Sequence, residues 1–132
     1  KFGTTEAGKV VSNFIDEYVD QENQVLVDKK TKAAEEARLR ALWDQMLAFV
    51  KKSFPHGFAK GANASSTPRV RFEAIAVGVT LALQTKADLE PKNNEQWLAG
   101  VEFKDIVTSD AANNKERVVG RIEFVRDRLL AP

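Results

Sequence analysis

The sequence predicts an all-α fold: one irregular bundle of four main helices, with short helices between them and a single long loop rich in Gly, Ser and Asn. Three observations carry that reading. Apolar residues recur at intervals of one, three and four in several long stretches, residues suited to helix starts and stops stand at their borders, and no two alternating runs read as a strand pair. The 132 residues are enough to bury about two thirds of the unfolded surface, so a single domain over residues 1–132 holds its core without metal or disulfide.

The first helix is expected over residues 4–18, where Val10, Val11, Phe14, Ile15 and Tyr18 share a face and Thr4 or Thr5 supplies the N-cap. Residues 20–31 hold only the apolar knot Val25, Leu26 and Val27 among polar neighbours, and read as a loop. From 32 to 54 the pattern is strongest: Leu39, Leu42, Trp43, Met46, Leu47, Val50 and Phe54 form one stripe, with Glu36 four residues before Arg40 on the wet side. At ~1.5 Å per residue this helix is about 34 Å long, which makes it the expected central packing element. Pro55 ends it. The segment 55–67 is dense in Gly, Ala, Asn and Ser and reads as a loop longer than most connections in a compact domain.

Thr67 followed by Pro68 is a cap and first-turn signal for a third helix. Val70, Phe72, Ile75, Ala76, Val77, Val79, Leu81 and Leu83 are β-branched enough to allow a strand, but the length, the alanines and the Thr-Pro start favour a buried helix. Gly78 in its middle costs about 1 kcal/mol against Ala and marks an expected close helix–helix approach. A short helix follows from Glu95 to near Gly100, then an apolar cluster of Phe103, Ile106 and Val107 that docks on the core. Ser109 and Asp110 offer caps. Val118, Val119, Ile122, Val125 and Leu129 mark the last amphipathic helix, from about Asn113 to Leu130.

Composition excludes several kinds of chemistry. With no cysteine there is no thiol nucleophile, zinc-thiolate site or disulfide framework. Twenty basic residues against nineteen acidic ones leave a net charge of +1, so attraction to phosphate or lipid headgroups has to come from a local patch. No stretch is apolar for the length of a membrane span, and a cytoplasmic location without membrane contact is expected. The single histidine, His56, follows a helix end, where it suits capping better than catalysis because no Ser-based motif or orienting carboxylate accompanies it. Asp16, Glu17, Asp20 and Glu22 read as a solvated face rather than a cation site. Gly57 and Gly61 lack the order of a phosphate-binding loop. No cofactor and no metal site is expected.

Basic residues form the more informative constellation. Residues 1–27 hold two lysines against five carboxylates, which leaves the remainder at +4. Lys51, Lys52 and Lys60 flank the long loop, Arg69 and Arg71 open the third helix, and Arg117, Arg121 and Arg128 fall on one side of the last. Glu116, Glu123 and Asp127 are interleaved with them, so a salt-bridged surface competes with a phosphate-binding face. Arg71 and Glu73, around Phe72 at the start of an apolar helix, read as a paired, partly buried network.

The strings FPHGFAKGANASSTPRVRFEAIAVGVTLAL and TSDAANNKERVVGRIEFVRDRLL resemble the C-terminal helical region of bacterial proteins in the large GmrSD-type, ParB-like family, over roughly the last 80 residues. In that family a ParB-like N-terminal domain carries nucleotide-binding and nuclease-related chemistry with an Asp-Gly-Gln-Gln-Arg signature. That string is absent from this sequence, and the chain starts at Lys1. The resemblance therefore implies a non-catalytic C-terminal piece of a restriction or phage-defence protein, whose partner is its own N-terminal domain. Direct DNA binding through a basic helix face is the rival, and a homodimer is a further expectation. Arg69, Arg71, Arg117, Arg121 and Arg128 are the residues expected to touch nucleic acid or the neighbouring domain. Phe58, Phe72 and Glu73 are expected to form a structural junction, the aromatic pair pinning the long loop and Glu73 pairing with Arg71.

Overall fold

The computed structural model describes residues 19–21, 23, 24, 29–90, 92, 94–108 and 114–132. Among them every regular element is helical and no strand occurs. The elements are α1 (Lys29–Ser53), α2 (Arg69–Thr85), α3 (Glu95–Leu98), α4 (Val101–Thr108) and α5 (Lys115–Leu130). The fold is all-α. The helix expected over residues 4–18, the knot at Val25 to Val27 and the caps Ser109 and Asp110 lie outside the described residues.

Positions 20, 21, 23, 24 and 29–31 are helical, which corrects the loop expected there. The physical reason is in the residue types: the described positions there are Asp, Gln, Asn, Lys and Thr, with neither Gly nor Pro among them, so each can adopt helical backbone without an apolar face. At α2 the Thr67 hydroxyl makes no cap. Pro68 itself occupies the N-cap position, with φ −60° and ψ 133° and no side-chain cap bond, and its carbonyl accepts from the Phe72 N–H at 3.0 Å. Residues 101–108, expected only as a docking cluster, form a full helix whose Lys104 N–H reaches back to the Gly100 carbonyl at 3.1 Å. In α5 the cap is Asn114, whose side chain accepts from the Arg117 N–H at 2.9 Å.

The chain divides into two compact units, residues 1–41 and 42–132. In the first, the described part of α1 is solvent-facing, laced by an Arg38–Glu35 pair (2.9 Å from Nε) and a looser Lys32–Glu36 pair at 3.8 Å. In the second lies the core. Met46, Phe49, Val50 and Phe54 enter it from the end of α1, Ala74, Ile75, Val79 and Ala82 from α2, Phe103 and Val107 from α4, and Val125 and Leu129 from α5. The long apolar stripe expected on α1 is thus buried only at its C-terminal end: Leu39, Trp43 and Leu47 are exposed, while Phe49, outside that stripe, is buried.

Helices α2 and α5 form the tightest seam. A Cβ built on Gly78 would stand 2.6 Å from Val125 Cβ and 2.9 Å from the Ile122 carbonyl oxygen, so only glycine allows this approach. Around α3 and α4 an aromatic cluster replaces aliphatic packing. Trp97 meets Phe54 at 6.0 Å, Phe103 at 5.4 Å and Phe124 at 6.0 Å between centroids, all edge-on, and Phe103 stacks on Phe124 at 5.8 Å. Buried Asn94 fastens this cluster to the end of α1, donating to the Ser53 carbonyl at 3.2 Å and accepting from Trp97 Nε1 at 3.0 Å.

Candidate functional site

Residues 71 and 73 are two apart on α2, and ~200° of helical rotation sends them to different neighbours. Glu73 does not pair with Arg71. It meets Arg121 of α5 at 2.7 Å, an ion pair in which the arginine is 2 % exposed. Arg121 is therefore not available to nucleic acid, because the close passage of α2 at Gly78 covers that turn of α5. Arg128 is exposed but engaged, at 2.6 Å from Glu102 with its guanidinium 5.0 Å above the Phe124 ring. Arg69 and Arg117 are exposed in the first turns of α2 and α5. The five arginines read together from the sequence do not make one basic face: two are inside, and one is tied to a carboxylate.

Phe58 and Phe72 are in ring contact at 4.8 Å, and Phe72 continues to Trp43 at 6.3 Å. The same junction sets Arg71. Its Nε donates to the Phe58 carbonyl at 3.0 Å, and its guanidinium lies 5.1 Å above the Phe103 ring. Arg71 is only 4 % exposed. Among the described residues no carboxylate pairs with it, and burial lowers its pKa from the ordinary arginine value with no acid to offset the shift.

Arg71 forms one wall of a cleft of about 100 Å³ under the start of the long loop, with His56, Gly57 and Lys60 on the loop side and Glu95 and Leu98 across from them. Gly57 at φ +56° turns the chain there; this conformation favours glycine, although a Cβ would meet nothing within 4 Å. A broader groove of about 410 Å³ runs past Lys51, Lys52, Pro55, Lys92 and Glu95. In it Lys92 Nζ donates to the Ala131 carbonyl. Among the described residues no group of three His, Asp or Glu side chains converges as a metal site would require.

Sequence reasoning singled out His56, Lys60 and Arg71 separately but did not join them, because the loop's path is not written in any periodicity. The available signal was an arginine between Val70 and Phe72, a cation in a setting otherwise fit for burial. No helix among the described residues is long and apolar enough to cross a membrane. Comparison of the chain with family models, curated proteins and solved structures returns no match.

Proposed function

We propose that the chain is a non-catalytic helical accessory module of a ParB-like, restriction- or defence-type protein, packing on or regulating a nuclease-like N-terminal domain. The family part of this reading rests on the two resembling strings. The observation that carries the packing part is Trp43, 47 % exposed on α1, with Leu47, one turn on, 36 % exposed. A half-exposed tryptophan beside a leucine on one helix is suited to a protein surface, where large aromatics contribute disproportionately to binding. The burial of Arg121 in its ion pair with Glu73 supports the same choice, since that cation is not left for phosphate.

The test uses the parent protein, recognised by an Asp-Gly-Gln-Gln-Arg string ahead of Lys1. Trp43→Glu with Leu47→Glu should leave the helical circular dichroism intact and release the N-terminal domain from co-purification. Undiminished co-purification, or assembly of the wild-type chain only with itself in sedimentation, removes the reading.

Direct DNA binding is kept as a second reading because Lys51, Lys52 and Lys92 line one groove. It predicts binding to duplex DNA that weakens steeply between low and moderate salt. Lys51→Glu with Lys52→Glu should abolish it, and no binding at low salt eliminates this alternative.

A further inference from the structure

We propose that the cleft beneath the start of the long loop binds the phosphate group of a small phosphomonoester or free phosphate, anchored by Arg71 and closed by Lys60 and His56. The proposal is independent of the packing role above and starts from the guanidinium. A charged group taken out of water is costly unless compensated, and folded proteins compensate it with an opposite charge or a full set of acceptors. Arg121 of this same chain follows that pattern through Glu73. Arg71, buried to a similar degree, has one carbonyl and one ring face. Its Nε–H is used by Phe58, and its two terminal nitrogens, which have no protein acceptor among the described residues, reach solvent.

The remaining geometry fits an oxyanion. Phe103 covers a face of the guanidinium, which leaves the planar edge as the part able to bind, and that edge matches two oxygens of a phosphate. The carbonyl bond to Phe58 fixes the orientation of the group in advance. The space of about 100 Å³ holds several waters' worth of volume, enough for one tetrahedral anion but not for a base or sugar beside it, so the rest of an ester would project outward past the loop. Lys60 and His56 line the loop side, which puts two further residues able to donate on a different wall from Arg71, as three phosphate oxygens require and two coplanar carboxylate oxygens do not. Glu95 is the one carboxylate lining the cleft.

The Arg71 Nε–H resonance, identified by its loss in Arg71→Lys, is the probe. Inorganic phosphate, ribose 5-phosphate, acetate and chloride are titrated at matched ionic strength into the ¹⁵N-labelled chain. Phosphate and the sugar phosphate should shift that resonance saturably, with Kd of about 1 mM, a strength typical of one small anion. Acetate and chloride should not. Tighter binding of ribose 5-phosphate identifies an ester as the source, and tighter binding of inorganic phosphate identifies the free ion; either outcome upholds the site. Lys60→Gln alters an exposed side chain, so its melting temperature should stay put while phosphate affinity falls about threefold or more, the effect of losing one exposed charge contact. Equal shifts with chloride, acetate binding as tightly as phosphate, or an unchanged affinity in Lys60→Gln each overturn the proposal.

Discussion

The seam between α2 and α5 and the cleft at the start of α2 each bury an arginine, and they treat it in opposite ways. At the seam, Arg121 is matched by a carboxylate at 2.7 Å and enclosed by helices so close that Gly78 has no room for a methyl. In the cleft, Arg71 is held by a loop carbonyl and a ring, with open volume beside it. The seam is a closed arrangement, an ion pair enclosed by close-packed helices, as a stabilising element should be. In the cleft the terminal nitrogens of Arg71 are open to solvent and engaged by no carboxylate, which leaves them able to receive something from outside. The two arginines differ in environment by one neighbouring carboxylate, and that difference separates scaffold from candidate site.

The largest effect should come from closing the seam further. Gly78→Val places branched carbon where Val125 Cβ already stands 2.6 Å from a hypothetical Cβ, and should cost about 3 kcal/mol or more. Gly78→Ala gains about 1 kcal/mol of helix propensity yet should still lose about 1–2 kcal/mol net, read as a lower urea midpoint at constant slope. A stabilised Gly78→Ala would break the comparison, because the seam would then be loose. Next in size is Glu73→Gln. Removing one partner of a buried pair costs about 3–5 kcal/mol, and about 2–3 kcal/mol is expected here because the Glu73 side chain is a third exposed. Adding Arg121→Met to it should recover much of the loss, since no buried charge is then left alone.

How much of this was legible in the sequence follows the same division. Gly78 announced the seam, because a glycine inside a strongly apolar helix has few uses other than close approach, and the all-α class followed from spacing alone. The Arg121–Glu73 pair spans two helices, and no local pattern says which carboxylate a buried arginine meets. Reading Arg71 with Glu73 as a pair failed for a simple reason: proximity in sequence at an interval of two is opposition on a helix. The cleft was legible only in pieces. His56 and Lys60 sit on a loop whose course depends on Gly57 at positive φ and on the Phe58–Phe72 ring contact, both tertiary facts. The exposed Trp43 was hidden because helical periodicity marks a face as apolar without saying whether anything in this chain covers it.

Smaller effects sharpen the contrast. Arg71→Met should cost about 1 kcal/mol or less. It loses a charge-assisted bond to the Phe58 carbonyl, worth about 1.5–3 kcal/mol, but it also removes a desolvated cation and leaves no carboxylate unpaired behind it. A loss as large as that of Glu73→Gln would mean that Arg71 is structural in the same sense as Arg121.

The smallest change is expected at Arg128. Its bond to Glu102 is short, at 2.6 Å, and on distance alone it resembles the Arg121–Glu73 pair. The side chains are 46 % and 65 % exposed, however, against 1 % for Arg121, so water screens the attraction and both groups are well solvated when apart. Arg128→Gln should therefore cost about 0.5 kcal/mol or less, with part of that coming from the lost contact over the Phe124 ring. Added salt should erase most of the remainder while leaving the Glu73→Gln penalty nearly unchanged, because a buried pair is screened far less than an exposed one. Two arginine–carboxylate pairs of nearly equal length would then differ severalfold in contribution, and exposure rather than distance would be the variable that decides it.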